Sequence, residues 1–410
     1  MTDDCHRGGC GGALAVALTD GGPPADAAHV ATLLEGLPDN WGRWGADDER
    51  GTLNLLGSAE AAAGMRAALA GGDDAVERFT LGLPLTGAPI DPEGGPTETG
   101  DPSFPGRGVA RRDNVSDART YRDGERDPLA GMKFADDRFV TPFYLHGTTH
   151  VDALGHAWYG DTLYNGFDAA TTATPQRFDA ELDCVDGAAS ETRGLARASV
   201  APLAEAGIAG RGVLLDVARH LGGGDEGGGD EGGGDEGGGR SGGCAADSGS
   251  DERADRLPLG TEVTLEDLQA AARAQGVSVR RGDVLLIRTG SIGRTRDPDA
   301  RWDPTDEPGL VFSRALVEWI ADRDVAVLGA DTVAVERVSQ RIGGETYLLP
   351  LHGAFLRNLG MPLVELLWLD DLAATCAADG VYEFLFTAAP LHVERATGAP
   401  TNPVVLKADG

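Results

Sequence analysis

The chain has 410 residues, 41% of them hydrophobic, which is enough material for a buried core and excludes wholesale disorder. Its 35 basic against 66 acidic side chains give a formal net charge of -31, which repels phosphate and argues against nucleic acid or an anionic membrane as a partner. Lysine occurs only at Lys133 and Lys407; such a surface fits a protein kept soluble in strong salt, the alternative being an ordinary acidic protein from a GC-rich genome.

In chain order, residues 1–28 read as a flexible tail. Acidic residues precede its short apolar run, where an export signal carries positive charge, and no stretch reaches the ~18 apolar residues of a membrane helix. The five cysteines (Cys5, Cys10, Cys184, Cys244, Cys376) are odd in number and scattered, as for reduced thiols, so a cytoplasmic location is expected. Leu81 to Pro142 is rich in Gly, Pro, Asp and Arg and reads as loops with short strands. "RGVLLDVAR" (Arg211–Arg219) has the β-branched, apolar character of a buried strand.

Then comes "GGGDEGGGDEGGGDEGGGRSGG", Gly222–Gly243, three copies of a five-residue unit and a tail. It offers nothing to bury and lacks the apolar position of a stacked calcium-binding repeat, so residues 221–256 are expected to form a disordered acidic insertion. Beyond it "VTLEDLQAAARAQG" predicts a helix with Thr264 as N-cap, Asp267 three residues on and Gly276 at its end. "DVLLIRTG", "VAVLGAD" and "VYEFLFTAAPL" read as strands; "SRALVEWIADRD", "HGAFLRNLG" and "LDDLAATCAADG" read as helices. This alternation predicts an α/β fold, a mixed sheet with flanking helices in one domain (29–220 and 257–408) that the insertion interrupts.

"HGTTHVDALGHAWYG" places His146, His150, Asp152 and His156 within eleven residues of a chain with eight histidines. Their even spacing puts them on one face of an extended strand, but residues four apart lie about 13 Å apart there. Ligands of one ion each sit ~2 Å from it, so the backbone must bend between His146 and His150, where Gly147 and the Thr148–Thr149 pair make bending cheap. Two imidazoles and a carboxylate suit Zn²⁺ or Mn²⁺, and such an ion acidifies water toward neutrality and polarises a carbonyl. His156, one shell further out, is the candidate general acid/base. The bland alternative is a set of hydrogen-bonded loop histidines.

This motif resembles the signature of the metal-dependent cyclase superfamily, which includes bacterial kynurenine formamidase (arylformamidase) and isatin hydrolase: His-x-Gly-Thr-His-x-Asp-x-Pro-x-His. Thr148 stands here at the glycine and Leu154 at the proline, and neither is a ligand. "NWGRWGADDERGTLNLL", "GDTLYNGFDA", "GADT" and "APLHVERATGAPTNPVVL" extend the resemblance over most of Leu37 to Leu406. It implies that His146, His150 and Asp152 bind metal, that His156 acts as acid/base, and that "LHGAFLRNLGMPLVELLWLDDLA" supplies a further pair, His352 and Glu365. Glu365 sits in an apolar run, where a carboxylate is costly unless paired or metal-bound.

The resemblance also implies a swivelling β/β/α fold and a homodimer or homotetramer. One or two Zn or Mn ions fit the residues. Trp41, Trp44, Trp158 and Tyr164 are candidates for an aromatic substrate pocket, and Asp331 and Thr332 either orient a ligand or end a strand. The function expected is hydrolysis of a C–N amide bond in a small molecule, an aryl formamide or a cyclic amide. The alternatives are lactone hydrolysis, a cyclisation, or metal binding without catalysis.

Overall fold

The computed structural model describes residues 27–71, 75–90, 100–102, 104, 107–177, 191–222 and 255–409. The expected tail and insertion lie outside these residues except at their edges, where a helix, Val217–Gly222, runs two residues into the expected insertion.

Nine strands make one mixed sheet. At its centre Ile208–Asp216, Val284–Arg288, Val327–Ala330 and Leu363–Glu365 pair in parallel. Glu383–Ala388, Val404–Ala408 and Val76–Thr80 follow antiparallel on one side. His150–Asp152 and Gly398–Pro400 follow antiparallel on the other.

The central strands have no polar face because both faces are covered. Val213, Leu215, Leu285, Ile287 and Leu328 enter one apolar core; Leu214, Val284, Leu286 and Val327, which alternate with them, enter the other. That is the near-continuous apolar run of a doubly covered parallel sheet. The first core takes in Leu268 and Ala271 of the helix Leu265–Ala274 and Leu316, Val317 and Ile320 of Arg314–Asp322. The second takes in Leu372, Ala373 and Cys376 of Asp370–Asp379. The expected mixed α/β architecture is therefore what forms.

The strand read over Arg211–Arg219 ends at Asp216, where the helix Val217–Gly222 begins, but the local signals of the helix after the insertion hold. Thr264 caps its helix reciprocally with Asp267, and Gly276 follows with φ of +67°. The stretch Leu81–Pro142 contributes short strands, Arg112–Ser116 and Asp136–Phe139, which pair only with each other among the described residues.

Candidate metal centre

The segment from Tyr144 to His156 bends twice. A turn in which Gly147 N donates to Tyr144 O (2.9 Å) precedes the strand His150–Asp152, and a second, in which His156 N donates to Ala153 O (2.9 Å), follows it. Thr149 anchors the first bend: its hydroxyl donates to Leu366 O (2.6 Å) and accepts from Leu83 N (2.9 Å). The bend expected between His146 and His150 thus lies at Gly147–Thr149. His150 and Asp152, two residues apart on a strand, face the same way.

Sheet register brings in the later residues. Glu365 lies directly opposite His150, and Gly398 opposite Asp152. Gly398 carries no side chain for a visible reason, since a Cβ there would collide with His146 Nε2. His352 ends the short helix Pro350–His352.

The structure brings all six expected residues together around the Asp152 carboxylate. Oδ1 lies 3.3 Å from His146 Nε2, 3.2 Å from His150 Nε2 and 3.9 Å from His156 Nε2. Oδ2 lies 3.8 Å from His352 Nε2. Glu365 reaches His150 Nε2 and His352 Nε2, each at 3.4 Å. The His146 ring stacks on that of His156, centroids 4.3 Å apart. Two compact groups result, one of His146, Asp152 and His156 and the other of His150, Asp152 and Glu365. In the first, geometry puts His156 alongside the ligand candidates rather than a full shell beyond them.

Does a cation fit? His146 Nε2, both Asp152 oxygens and Glu365 Oε1 are buried without a hydrogen-bond partner. A buried polar atom left so costs about 1–3 kcal/mol, and a cation where they converge satisfies them. Atoms ligating one ion at about 2 Å are themselves about 3–4 Å apart, which is the spacing found. Two of the imidazoles are turned for the task. His150 Nδ1–H donates to Thr148 O (2.8 Å) and His352 Nδ1–H to Glu336 Oε1 (2.8 Å), which points each Nε2 at the cluster. The residues fit a divalent metal.

Electrostatics agree with a site built around charge. Burial opposes the ionisation of Asp152, yet the imidazoles of His156, His146 and His150 hold it well below the usual carboxylate range. Burial, then the charge of Asp152, raises Glu365. Burial also pushes His156 down to about 3, against the pull of Asp152 and with help from the other imidazoles.

Glu336 was not legible as a site residue. Wholly enclosed, it accepts hydrogen bonds from Gln340 Nε2 (2.8 Å), Leu351 N (2.9 Å), His352 N (2.7 Å) and His352 Nδ1. The argument that flags Glu365, a carboxylate in an apolar setting, applies equally to "AVERV" and could have found it. Asp331 does not take that orienting role. It accepts from Thr289 N, Thr289 Oγ1 and Gly290 N, fastening the end of one strand to the loop after its neighbour. Thr332 receives Leu366 N on its carbonyl, next to Glu365, and its buried hydroxyl has no partner.

The four aromatics do not form one wall. Tyr164 is completely buried and donates to Asp48 Oδ2 (2.8 Å), so it belongs to the core. Trp41 and Trp44 are partly buried against the same core, Trp41 beneath the Arg357 guanidinium. Trp158 is 48% exposed, two residues from His156.

Comparison with known proteins supplies the family. The cyclase family model matches residues 117–337. A crystal structure of a novel cyclase is similar with a TM-score of 0.65 and 28% identity, covering 93% of this chain and all of its own. Isatin hydrolase A from Labrenzia aggregata, bound to benzyl benzoate, gives 0.45 and 18% over 81% of this chain and 94% of its own. An isatin hydrolase bound to the product analogue thioisatinate gives 0.44 and 17% over 86% and 99%. A search of curated proteins finds no match. The family match takes in His146, His150, Asp152, His156 and Glu336, and the chain belongs to the cyclase family.

Proposed function

We propose that this protein is a metal-dependent hydrolase that cleaves a C–N amide bond of a small molecule. The observation that carries the reading is the set of buried, unpartnered oxygens, both of Asp152 and Oε1 of Glu365, inside a ring of four imidazoles. His146, His150, Asp152, His352 and Glu365 would hold one or two ions, Zn²⁺ or Mn²⁺ by donor chemistry, with Asp152 the residue able to face both. A bound ion would supply Lewis acidity at the substrate carbonyl and lower the pKa of water.

The chain's own residues account for the rest. Side-chain exposure is 24% at His156 against 10% or less at the other five, so His156 stands at the mouth. Its Nε2 is placed to accept a proton from attacking water and return it to the departing nitrogen. Trp158, exposed close by, is the aromatic best placed to meet a substrate ring. The resemblance of the His146–His156 motif favours an aryl formamide or a cyclic amide such as isatin.

The test pairs metal content with turnover. Elemental mass spectrometry on protein purified in high salt should find one or two Mn or Zn ions per chain, lost in His150→Ala. His156→Gln should keep the metal and lose about 10²–10⁴-fold in amide hydrolysis. Wild-type protein that refuses both metals, or that binds them and cleaves no amide in a panel of formamides and cyclic amides, overturns the reading.

A further inference from the structure

Beyond His352 the chain continues as a π-helix, Gly353–Leu359, a wound-out form found mostly at functional sites. Arg357 and Asn358, near its end, line a cavity of about 570 Å³ together with the helix Val30–Leu34 and the loop that follows it. That volume is within the roughly 300–1,000 Å³ of small-molecule sites. None of the six residues of the metal centre borders it.

The Arg357 guanidinium lies over two aromatic rings, 4.0 Å from the centroid of Tyr159 and 4.7 Å from that of Trp41. Both rings are pinned in turn. Trp41 Nε1 donates to Arg357 O (2.9 Å), and the Tyr159 hydroxyl to Asn358 Oδ1 (2.8 Å). Arg357 gives one N–H to Thr162 O, one to Thr162 Oγ1 and one to Asn358 Oδ1, which leaves two of the five on a guanidinium. Arg211 and Arg288, also drawn inward, each meet two carboxylates, Asp283 with Glu383 and Asp216 with Asp370. Partly buried Arg357 has no carboxylate within ion-pair distance among the described residues, in a chain with 66 acidic side chains. Burial pushes it below its ordinary value, and Asp39 answers only from farther off.

Asn358 is a second unfinished donor. It is 4% exposed, its Oδ1 is taken by Tyr159 and Arg357, and its Nδ2 has no acceptor among the described residues. Buried amides are rarely left so. Two guanidinium N–H groups beside an amide make the donor set for a carboxylate. Glu35 and Asp39 line the same cavity, and so do Leu34 and Leu37. The two acids repel a second negative charge and attract an ammonium, and the two leucines suit an aliphatic tail.

We propose that this cavity is a second ligand site, separate from the metal centre, for a free α-amino acid with an apolar side chain. Its carboxylate meets Arg357 and Asn358, and its ammonium faces Glu35 and Asp39.

Titration calorimetry on full-length protein stripped of metal with EDTA tests this, since stripping removes chelation as a source of heat. The probes are L-leucine, 4-methylpentanoate, which lacks the ammonium, and 3-methylbutylamine, which lacks the carboxylate. L-Leucine should bind once per chain, 4-methylpentanoate about 10–100-fold more weakly, and the amine not measurably. Arg357→Gln should lose both acids. Glu35→Gln with Asp39→Asn, both exposed positions, should bring the two acids to equal affinity. If neither acid binds, or binding returns only with metal, the proposal is overturned; an amine as tight as L-leucine also overturns it. Should Arg357→Gln misfold, the rim variant decides, because a preference for L-leucine that survives it rejects the site.

Discussion

Glu336 and Gly398 act on the metal centre through one neighbour each. Glu336 turns His352, and cutting it back to alanine strands three buried donors at once, Leu351 N, His352 N and His352 Nδ1. Loss of a carboxylate behind a metal-ligating histidine typically costs 10–100-fold in metal affinity, so Glu336→Ala should bind Mn²⁺ or Zn²⁺ about 10–100-fold more weakly by titration calorimetry, with Glu336→Gln intermediate. Equal affinity in all three would show that His352 is oriented by packing alone. Gly398→Ala should displace His146 and press on the Val151 carbonyl of the strand that carries His150 and Asp152. Its expected signature is a lower metal stoichiometry or affinity with a far-UV spectrum like that of wild type. The contrast with His146, His150, Asp152 and His156 is instructive. Those four are dense in sequence and could be read from spacing, whereas Gly398 acquires its role from register with a segment far back in the chain, which leaves no local pattern, and Glu336 shows only as a carboxylate in an apolar run, with nothing to name His352 as its partner.

Elements whose determinants are local were equally legible. The helix Leu265–Ala274 announces itself by Thr264, by Asp267 and by the glycine that stops it. Thr264→Ala should remove about 1 kcal/mol, as loss of an N-cap usually does, and lower Tm by about 1–2 °C in a chain of this length; no shift in a calorimetric scan would mean that this cap contributes nothing in context. Less legible were the junctions around the metal centre. Val335, Leu349 and Leu366 all hold positive φ, at +53°, +47° and +56°. They stand beside Glu336, just ahead of His352, and beside Glu365. Left-handed backbone at non-glycine residues costs of order 1–3 kcal/mol apiece and persists only where surroundings enforce it. A propensity reading puts no turn at a valine or a leucine, so these bends were hidden, although they aim the second half of the site. The aromatic pocket failed for a related reason: composition cannot tell a core tyrosine such as Tyr164 from one that faces a ligand.

For the whole molecule, charge sets the response to pH and salt. Burial lifts Glu307 to about 7 and Asp331 to about 6, above their unfolded values of about 4.3 and 3.9. Between those limits the folded chain holds more protons than the unfolded one. Their contribution to stability is therefore full below about pH 4 and fades as pH rises through 6 to 7. Repulsion within a chain of charge -31 pushes the same way, but salt screens surface charge and leaves buried groups nearly untouched. Tm should fall from pH 5 to pH 8 in dilute buffer, and by less, yet measurably, in molar salt. A Tm flat with pH in molar salt would assign the whole effect to the surface.

The strand His150–Asp152 has a further consequence, in time rather than space. Both strands it pairs with, Leu363–Glu365 and Gly398–Pro400, are made long after it. At about 5–20 residues per second, synthesis takes roughly 10–50 s to travel from the one to the last of the others. Until then the ligand-bearing segment has no neighbours to fix its register, and the His146 ring has no Gly398 to lie against. A chain cut short before Gly398–Pro400 can carry the whole His146–His156 motif and still lack the strands that hold it in register, so the site closes only once both partner strands have been made.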